Sequence, residues 1–117
     1  MQPKLFQIIG GEIRQLISGM GGCFASNRIT VDGAPVGYMY REPPDNETDS
    51  GWRFFAGDES EEYADTPDNF AIYDVNTICN YDPAVIPYLS APAGMAYGRI
   101  LGTADFAQES SDDEDDV

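Results

Sequence analysis

The sequence contains no histidine. Histidine is the commonest general base in enzymes and the commonest metal ligand, so its absence excludes every catalytic triad that depends on an imidazole. The single lysine, Lys4, lies in a segment that we expect at the periphery of the domain, which argues against a serine–lysine pair. The composition therefore predicts a protein that is not an enzyme.

Cysteine is also scarce. Cys23 and Cys79 are the only two, and they lie far apart in the sequence. The disulfide frameworks of small secreted domains are denser in cysteine, and Cys23 has no obvious base beside it to activate a thiolate. We expect both side chains to be reduced and buried as small apolar groups.

Long apolar runs are absent as well. No run approaches the ~18 residues that a membrane-spanning helix needs, and glycines and charges within residues 10–14 interrupt any signal peptide at the N-terminus. We therefore predict a cytoplasmic protein that does not bind membranes. Apolar residues make up 42% of the 117 residues, which is enough for one globular domain.

Basic residues number 6 against 21 acidic ones, which gives a net charge of −15. Such a chain repels phosphate backbones and anionic membrane surfaces, so nucleic acid is an unsuitable partner. A basic protein or divalent cations would be attracted to it. The alternative is that the charge only maintains solubility.

The acidic residues are unevenly distributed. Residues 42–82 hold twelve of them and one base, Arg53. Seven more lie between Asp105 and the last residue, Val117. That composition predicts a disordered acidic tail over residues 103–117.

The most informative stretch of the sequence is residues 50–58, Ser-Gly-Trp-Arg-Phe-Phe-Ala-Gly-Asp, which holds the single tryptophan of the chain, two adjacent phenylalanines and Arg53. Aromatic residues between two glycines predict a short central strand, and residues 36–42 predict its antiparallel partner. Trp52 and Phe54 share one face of the central strand, and Arg53 lies on the other. Because both faces carry large side chains, we expect the strand to be covered at least in part on both sides.

The other elements are shorter. Residues 1–20 predict a helical segment or two short turns, with a peripheral leader as the alternative. Residues 95–101 fit either a strand or a short helix. The remaining predictions are strands at Cys23–Ser26 and Phe70–Tyr73, and helical turns at Glu59–Ala64 capped by Asp58, after Asp74, and from Pro83. Together they predict an α+β domain over residues 21–102, with a small, mostly antiparallel sheet and short helices packed on it.

One candidate metal site in the sequence is a calcium loop. Asp45, Glu47 and Asp49 have the alternate spacing of such a loop. Its sixth position needs glycine and its twelfth needs glutamate, but this chain has Ser50 and Ala56 there. We predict no metal and no cofactor.

The densest acidic cluster of the domain consists of Asp58, Glu59, Glu61 and Glu62. It indicates a docking surface for a basic partner, and the neighbouring Tyr63 is a residue type enriched at interface hot spots. A weak cation site and a solvated helix start are the alternatives.

Arg53 lies between two aromatic residues in an acidic neighbourhood. A cation on an interior strand needs a partner, and Asp49, Asp58 and Asp74 are candidates. The group formed by Trp52, Arg53 and Asp74 is therefore structural or ligand-facing. In the second case Arg53 would hold an anionic ligand in a pocket beside Trp52.

Four segments in succession carry a resemblance to a known family. They are Gly22–Ser26 (Gly-Cys-Phe-Ala-Ser), Gly37–Glu42 (Gly-Tyr-Met-Tyr-Arg-Glu), Asp49–Glu59 (Asp-Ser-Gly-Trp-Arg-Phe-Phe-Ala-Gly-Asp-Glu) and Ile72–Pro83 (Ile-Tyr-Asp-Val-Asn-Thr-Ile-Cys-Asn-Tyr-Asp-Pro). This succession resembles the bacterial domain-of-unknown-function family 2185, also described as an immunity-protein-33-like domain, over roughly residues 21 to 100.

The resemblance implies a small α+β protein and, for part of the family, an antidote in a bacterial toxin–immunity pair. It implies no catalytic residues. The first hypothesis is therefore a protein that neutralises a basic toxin through its acidic surface. The alternatives are a small-ligand or enzymatic domain around Trp52 and Arg53, and a housekeeping protein that forms a homodimer through an uncovered sheet face.

Overall fold

The computed structural model describes residues 13–109 of the chain. These residues form one six-stranded sheet in the order β4-β1-β3-β2-β5-β6. The strands are β1 (Gly22–Ser26), β2 (Tyr38–Arg41), β3 (Asp49–Phe55), β4 (Phe70–Asp74), β5 (Ala96–Arg99) and β6 (Phe106–Glu109). The helices are α1 (Asn27–Thr30), α2 (Glu61–Ala64) and α3 (Val75–Tyr81), with 3-10 turns at Pro67–Asn69 and Pro83–Tyr88. The predicted α+β architecture is confirmed.

The central strand is β3, which lies between β1 and β2. It pairs antiparallel with β2, as predicted, from Tyr38 opposite Phe55 to Arg41 opposite Trp52. Its other neighbour, β1, runs parallel to it, and the remaining pairs are antiparallel. Gly51 bends the strand at a positive φ of 89°, and a Cβ there would collide with the backbone oxygen of Glu42.

One face of the sheet carries the hydrophobic core. Trp52 and Phe54 of β3 are fully buried there and stack with ring centroids 6.0 Å apart. The indole Nε1 of Trp52 donates to the backbone oxygen of Leu89, 3.2 Å away, so burial leaves that donor satisfied. Helix α3 and the turn that follows it supply the opposing apolar side chains: Val75, Ile78, Cys79, Val85 and Leu89.

Local signals explain why α3 forms where it does. Asp74 ends β4, and its carboxylate accepts from the backbone N–H of Asn76 at 2.9 Å, which caps the helix as predicted. Cys23 and Cys79 are both buried free thiols, and burial raises the pKa of each. No helix among residues 13–109 is long and apolar enough to cross a bilayer.

Residues 13–20 of the predicted N-terminal helical segment form no helix. Side-chain amides of α3 bind this backbone instead. Asn76 accepts from Leu16 and Ile17 at 2.7 and 3.1 Å, and Asn80 accepts from Arg14 at 2.8 Å. These contacts replace the hydrogen bonds that a helix would make. Residues 1–12 of the predicted segment lie outside the described residues.

The predicted disordered tail over residues 103–117 is corrected at residues 106–109. They form β6, which pairs with β5 from Arg99 opposite Phe106 to Ala96 opposite Glu109. Phe106 is buried against the ring of Tyr88, 5.2 Å away, and under the guanidinium of Arg99. This apolar anchor extends the folded domain beyond residue 102. Residues 110–117 lie outside the described part of the chain.

Candidate functional site

The face of the sheet opposite the core is lined with aromatic side chains. Strand alternation sends Phe55 to this side, and the register places Tyr38 directly opposite it on β2. A second row across the sheet consists of Tyr40, Arg53, Phe24 and Ile72. We call this surface the aromatic face, and its members are Phe24, Tyr38, Tyr40, Phe55, Phe70 and Ile72.

The rings of the aromatic face form a continuous set of contacts. Tyr40 and Phe55 stack with centroids 5.9 Å apart and planes 12° from parallel. Tyr38 contacts both rings at 5.9 and 6.2 Å. Phe70 meets Phe55 edge-on at 5.7 Å and Tyr63 at 6.1 Å. Such contacts hold the rings in fixed orientations while their outer surfaces remain partly exposed.

The aromatic face is open to solvent at one side of the sheet. The side chain of Ile72 on the edge strand β4 is 71% exposed, and Phe24 on β1 is 39% exposed. Phe24 and Ile72 lie opposite each other on neighbouring strands, so this exposed apolar surface is a candidate for an interaction site.

Arg53 lies within the aromatic face but is only 3% exposed. Its Nη1 and Nη2 donate to the two carboxylate oxygens of Asp49 at 3.0 and 2.9 Å, and its Nε donates to Glu42 at 2.6 Å. Nη1 also donates to the backbone oxygen of Trp52, and the guanidinium carbon stands 5.0 Å from the ring centre of Phe24. The chain's own acceptors thus occupy the donors that an anionic ligand would need.

The three predicted partners of Arg53 have separate roles. Asp49 forms the ion pair, and the hydrogen bonds from Arg53 lower the pKa of its carboxyl below the usual range. Asp58 pairs with Arg28 at 2.6 Å, and Asp74 caps α3. Glu42 is a partner that the sequence reasoning missed, because its approach depends on the pairing of β2 with β3.

The predicted acidic cluster lies beside the aromatic face, on α2 and the turn before it. The capping residue of α2 is Ser60, whose hydroxyl accepts from the backbone N–H of Tyr63 at 3.0 Å. Asp58, the predicted cap, is engaged by Arg28. Glu59 accepts from the backbone N–H groups of Ala56 and Gly57. The N-cap of α2 is therefore Ser60, two residues after the predicted Asp58.

The remaining members of the cluster face outward. Glu61 and Glu62 are exposed in the first turn of α2, and no side-chain partner contacts their carboxylates among residues 13–109. Tyr63 is half-buried, and its ring packs edge-on against Phe70. The structure therefore brings Tyr63 into contact with the aromatic face and leaves two uncompensated charges beside it.

An open groove of about 430 Å³ crosses the aromatic face. Tyr38, Tyr40 and Phe55 line it, together with the charged residues Glu59, Arg99 and Glu109. A second recess of about 340 Å³ adjoins it over Phe70, Pro67, Phe24 and the Arg53–Glu42 pair, and shares Tyr40, Phe55 and Ala64 with the first. Residues 13–109 contain no group of three or more histidine, cysteine or acidic side chains arranged to hold a metal ion.

Sequence reasoning missed most of the aromatic face. The alternation of Tyr38 and Tyr40 with Met39 was visible, as was that of Arg53 and Phe55 with their neighbours. Only the register of β2 against β3 shows that these side chains share one surface. Glu109 carried no usable signal, because it lies within the segment whose composition predicts disorder, residues 103–117.

The family model described as the immunity protein Imm33 domain matches residues 23–109, about three quarters of the chain. The match begins in β1 and ends at the last residue of β6, so it includes the whole aromatic face. It confirms the resemblance carried by the four segments of the sequence. No curated protein and no solved structure matches the chain.

Proposed function

Because the chain belongs to the immunity protein Imm33 domain family, we propose that it is a non-catalytic bacterial binding protein that neutralises a partner toxin. The observation that carries the proposal is the open aromatic face with the acidic helix α2 at its edge. This surface has the composition of a protein-binding site, with partly exposed fixed rings at its centre and charges at its margin.

The aromatic face supplies the binding free energy in this proposal. Aromatic residues are enriched among interface hot spots because they bury a large area at little cost in side-chain entropy. Phe55 and Tyr40 are already held by ring contacts, so little ordering is required when a partner covers them. Phe24 and Ile72 extend the apolar surface to the edge of the sheet.

The acidic edge steers the partner. Its proposed contact residues are Asp58, Glu59, Glu61, Glu62 and Tyr63. Glu61 and Glu62 carry the charges that a basic partner would meet first, and complementary charge speeds association and fixes orientation. Asp58 and Glu59 hold the turn that positions α2, and Tyr63 joins this edge to the aromatic face.

The partner proposed here is a basic protein, since the charge of −15 disfavours nucleic acid and anionic membranes. The two buried free thiols support the cytoplasm as the compartment. The alternative pocket around Trp52 and Arg53 loses its main support, because Trp52 is fully buried and the guanidinium is bound internally. Self-association through the aromatic face is the competing use of the same surface.

A growth assay tests the proposal. The polypeptide encoded beside this gene is expressed in a bacterial host, alone and with the present chain. We expect the neighbour to arrest growth, the present chain to restore it, and the two to purify as one complex. The proposal would be contradicted if growth were arrested and this protein did not restore it. It would also be contradicted if this protein purified only as a homodimer.

A further inference from the structure

We propose that the groove lined by Tyr38, Tyr40, Phe55, Glu59 and Glu109 receives an arginine or lysine side chain of the partner protein. This inference rests on the proposed function and specifies the chemistry at its centre. It assigns the groove an occupant by charge complementarity, and makes the groove a second contact beside the exposed charges of Glu61 and Glu62 on α2.

Three aromatic rings line the groove. Tyr40 and Phe55 lie nearly parallel, and Tyr38 is tilted against both. A guanidinium or ammonium over an aromatic face is attracted by the negative charge of the ring surface. The same chemistry already occurs elsewhere in this domain, where Arg53 lies over Phe24 and Arg99 over Phe106.

Two carboxylates complete the site. Glu59 is held in place because its Oε2 and Oε1 accept from the backbone N–H groups of Ala56 and Gly57 at 2.8 and 2.9 Å. Glu109 folds over the sheet at Gly98, where a Cβ would collide with its carboxylate. The missing side chain at position 98 therefore leaves room for an acid on the aromatic face. The Glu59 carboxylate is therefore placed before any partner arrives, which reduces the cost of binding.

Two arginines lie close to the groove, and each is bound internally. Arg99, which also lines the groove, pairs with Asp82 and donates to the backbone oxygens of Val36 and Thr103. Arg53, in the adjoining recess, is likewise paired. Its charge is offset by Asp49 and Glu42 at hydrogen-bond distance, with Asp45 3.9 Å away. An anionic occupant is disfavoured, because Glu59 and Glu109 would repel it. Burial and the nearby Glu109 carboxylate raise the pKa of the Tyr38 hydroxyl, so Tyr38 stays neutral beside a bound cation at physiological pH.

The probe for this site is acetyl-Gly-Arg-Gly-amide, with the citrulline peptide as its neutral isostere. Each is titrated into the full-length protein while side-chain aromatic NMR signals are followed. We expect saturable shifts at Tyr38, Tyr40 and Phe55 with the arginine peptide. We expect at least about fivefold weaker binding of the citrulline peptide, the factor that corresponds to a cation–π energy of ~1 kcal/mol.

Two variants locate the site. Glu109→Gln keeps the shape of an exposed side chain and removes its charge, and Gly98→Ala displaces the Glu109 carboxylate from its present position. Each should weaken arginine binding about fivefold or more, whereas Glu47→Gln, an exposed acid in another loop, should leave it unchanged. Unfolding midpoints measured on the same samples show that the variants are folded.

Equal binding of the two peptides, or full binding by Glu109→Gln, would overturn the inference. The inference would also be overturned if the protein sedimented as a dimer and its aromatic NMR signals did not respond to the arginine peptide. These failures are distinguishable from failure of the proposed function. Rescue of growth with no arginine selectivity overturns the groove assignment alone, whereas absence of rescue overturns the function.

Discussion

Arg53 and Asp49 form a bidentate ion pair on the aromatic face, in which Nη1 and Nη2 of Arg53 lie 3.0 and 2.9 Å from the two carboxylate oxygens of Asp49. Both residues belong to β3, four positions apart, and the bend at Gly51 lies between them. The pair explains how a sheet face can carry a buried cation and still present an apolar aromatic surface.

Asp49→Asn should lower the free energy of unfolding by about 3 kcal/mol, because it leaves the buried Arg53 with Glu42 as its main counter-charge. Urea unfolding at neutral pH measures this loss. The matched control is Glu47→Gln, an exposed acid two residues earlier, which should change stability by less than about 0.5 kcal/mol. Equal midpoints for the two variants would show that the pair is not required for stability.

The same pair predicts the response to acid. Hydrogen bonds from Arg53 lower the folded-state pKa of Asp49 below its unfolded value, so its stabilising contribution is complete above pH ~4 and is lost as the pH falls below that value. The difference in unfolding free energy between the native protein and Asp49→Asn should therefore shrink between pH 4 and pH 2. Urea titrations across that range test it, and a constant difference would contradict the assignment.

Two adjacent phenylalanines distinguish the core face from the aromatic face. Phe54→Ala should cost about 3–5 kcal/mol, because the ring is fully buried against Trp52. Phe55→Ala should cost clearly less, because its ring is partly exposed. Thermal or urea unfolding of the two variants measures the difference. Similar losses of unfolding free energy would mean that both faces are covered to the same degree.

Truncation tests the boundary of the domain. A chain that ends at Gly102 lacks β6 and the buried Phe106, and should lose at least about 3 kcal/mol relative to a chain that ends at Glu109. The two chains are compared by urea unfolding. Equal stability would show that β6 contributes nothing to the fold and would restore the boundary predicted from composition.

Reversal of charge on α2 should slow association with the partner. The test variant is the double substitution Glu61→Lys and Glu62→Lys on α2. The control variant, Glu47→Lys and Asp105→Lys, changes the net charge by the same amount at positions away from α2. We expect the first pair to reduce the association rate more than the second, and the difference to diminish at high salt. Equal effects would show that only total charge matters.

The parts of the fold that local patterns specify were predictable. Alternation at Tyr38–Tyr40 and Trp52–Phe54 identifies the β2–β3 pair, and Asp74 before an apolar i, i+3, i+4 pattern identifies α3. Local patterns could not show that Asn76 and Asn80 bind residues 13–20 in place of a helix, because those contacts span about sixty positions.

The candidate site was predictable only at its acidic edge. Tyr63 and the acids of α2 are contiguous in sequence, whereas the groove combines Glu59 with residues of β2, β3 and β6. Its acidic end at Glu109 depends on the small residue Gly98, a relationship that appears only when β5 and β6 pair. The acidic composition of the last residues predicted disorder and gave no indication of β6. The burial of the single Phe106 stabilises this strand despite the acidic residues around it.

The most direct test of the account is the equilibrium affinity of the partner protein for Phe55→Ala, with Glu47→Ala as control. Phe55 contacts Tyr38, Tyr40 and Phe70 at the centre of the aromatic face, so its removal should weaken binding at least about 30-fold, the ~2 kcal/mol of an interface hot spot. The control should bind within about twofold of the native protein. A folded Phe55→Ala protein with native affinity would contradict the assignment of the aromatic face as the binding surface.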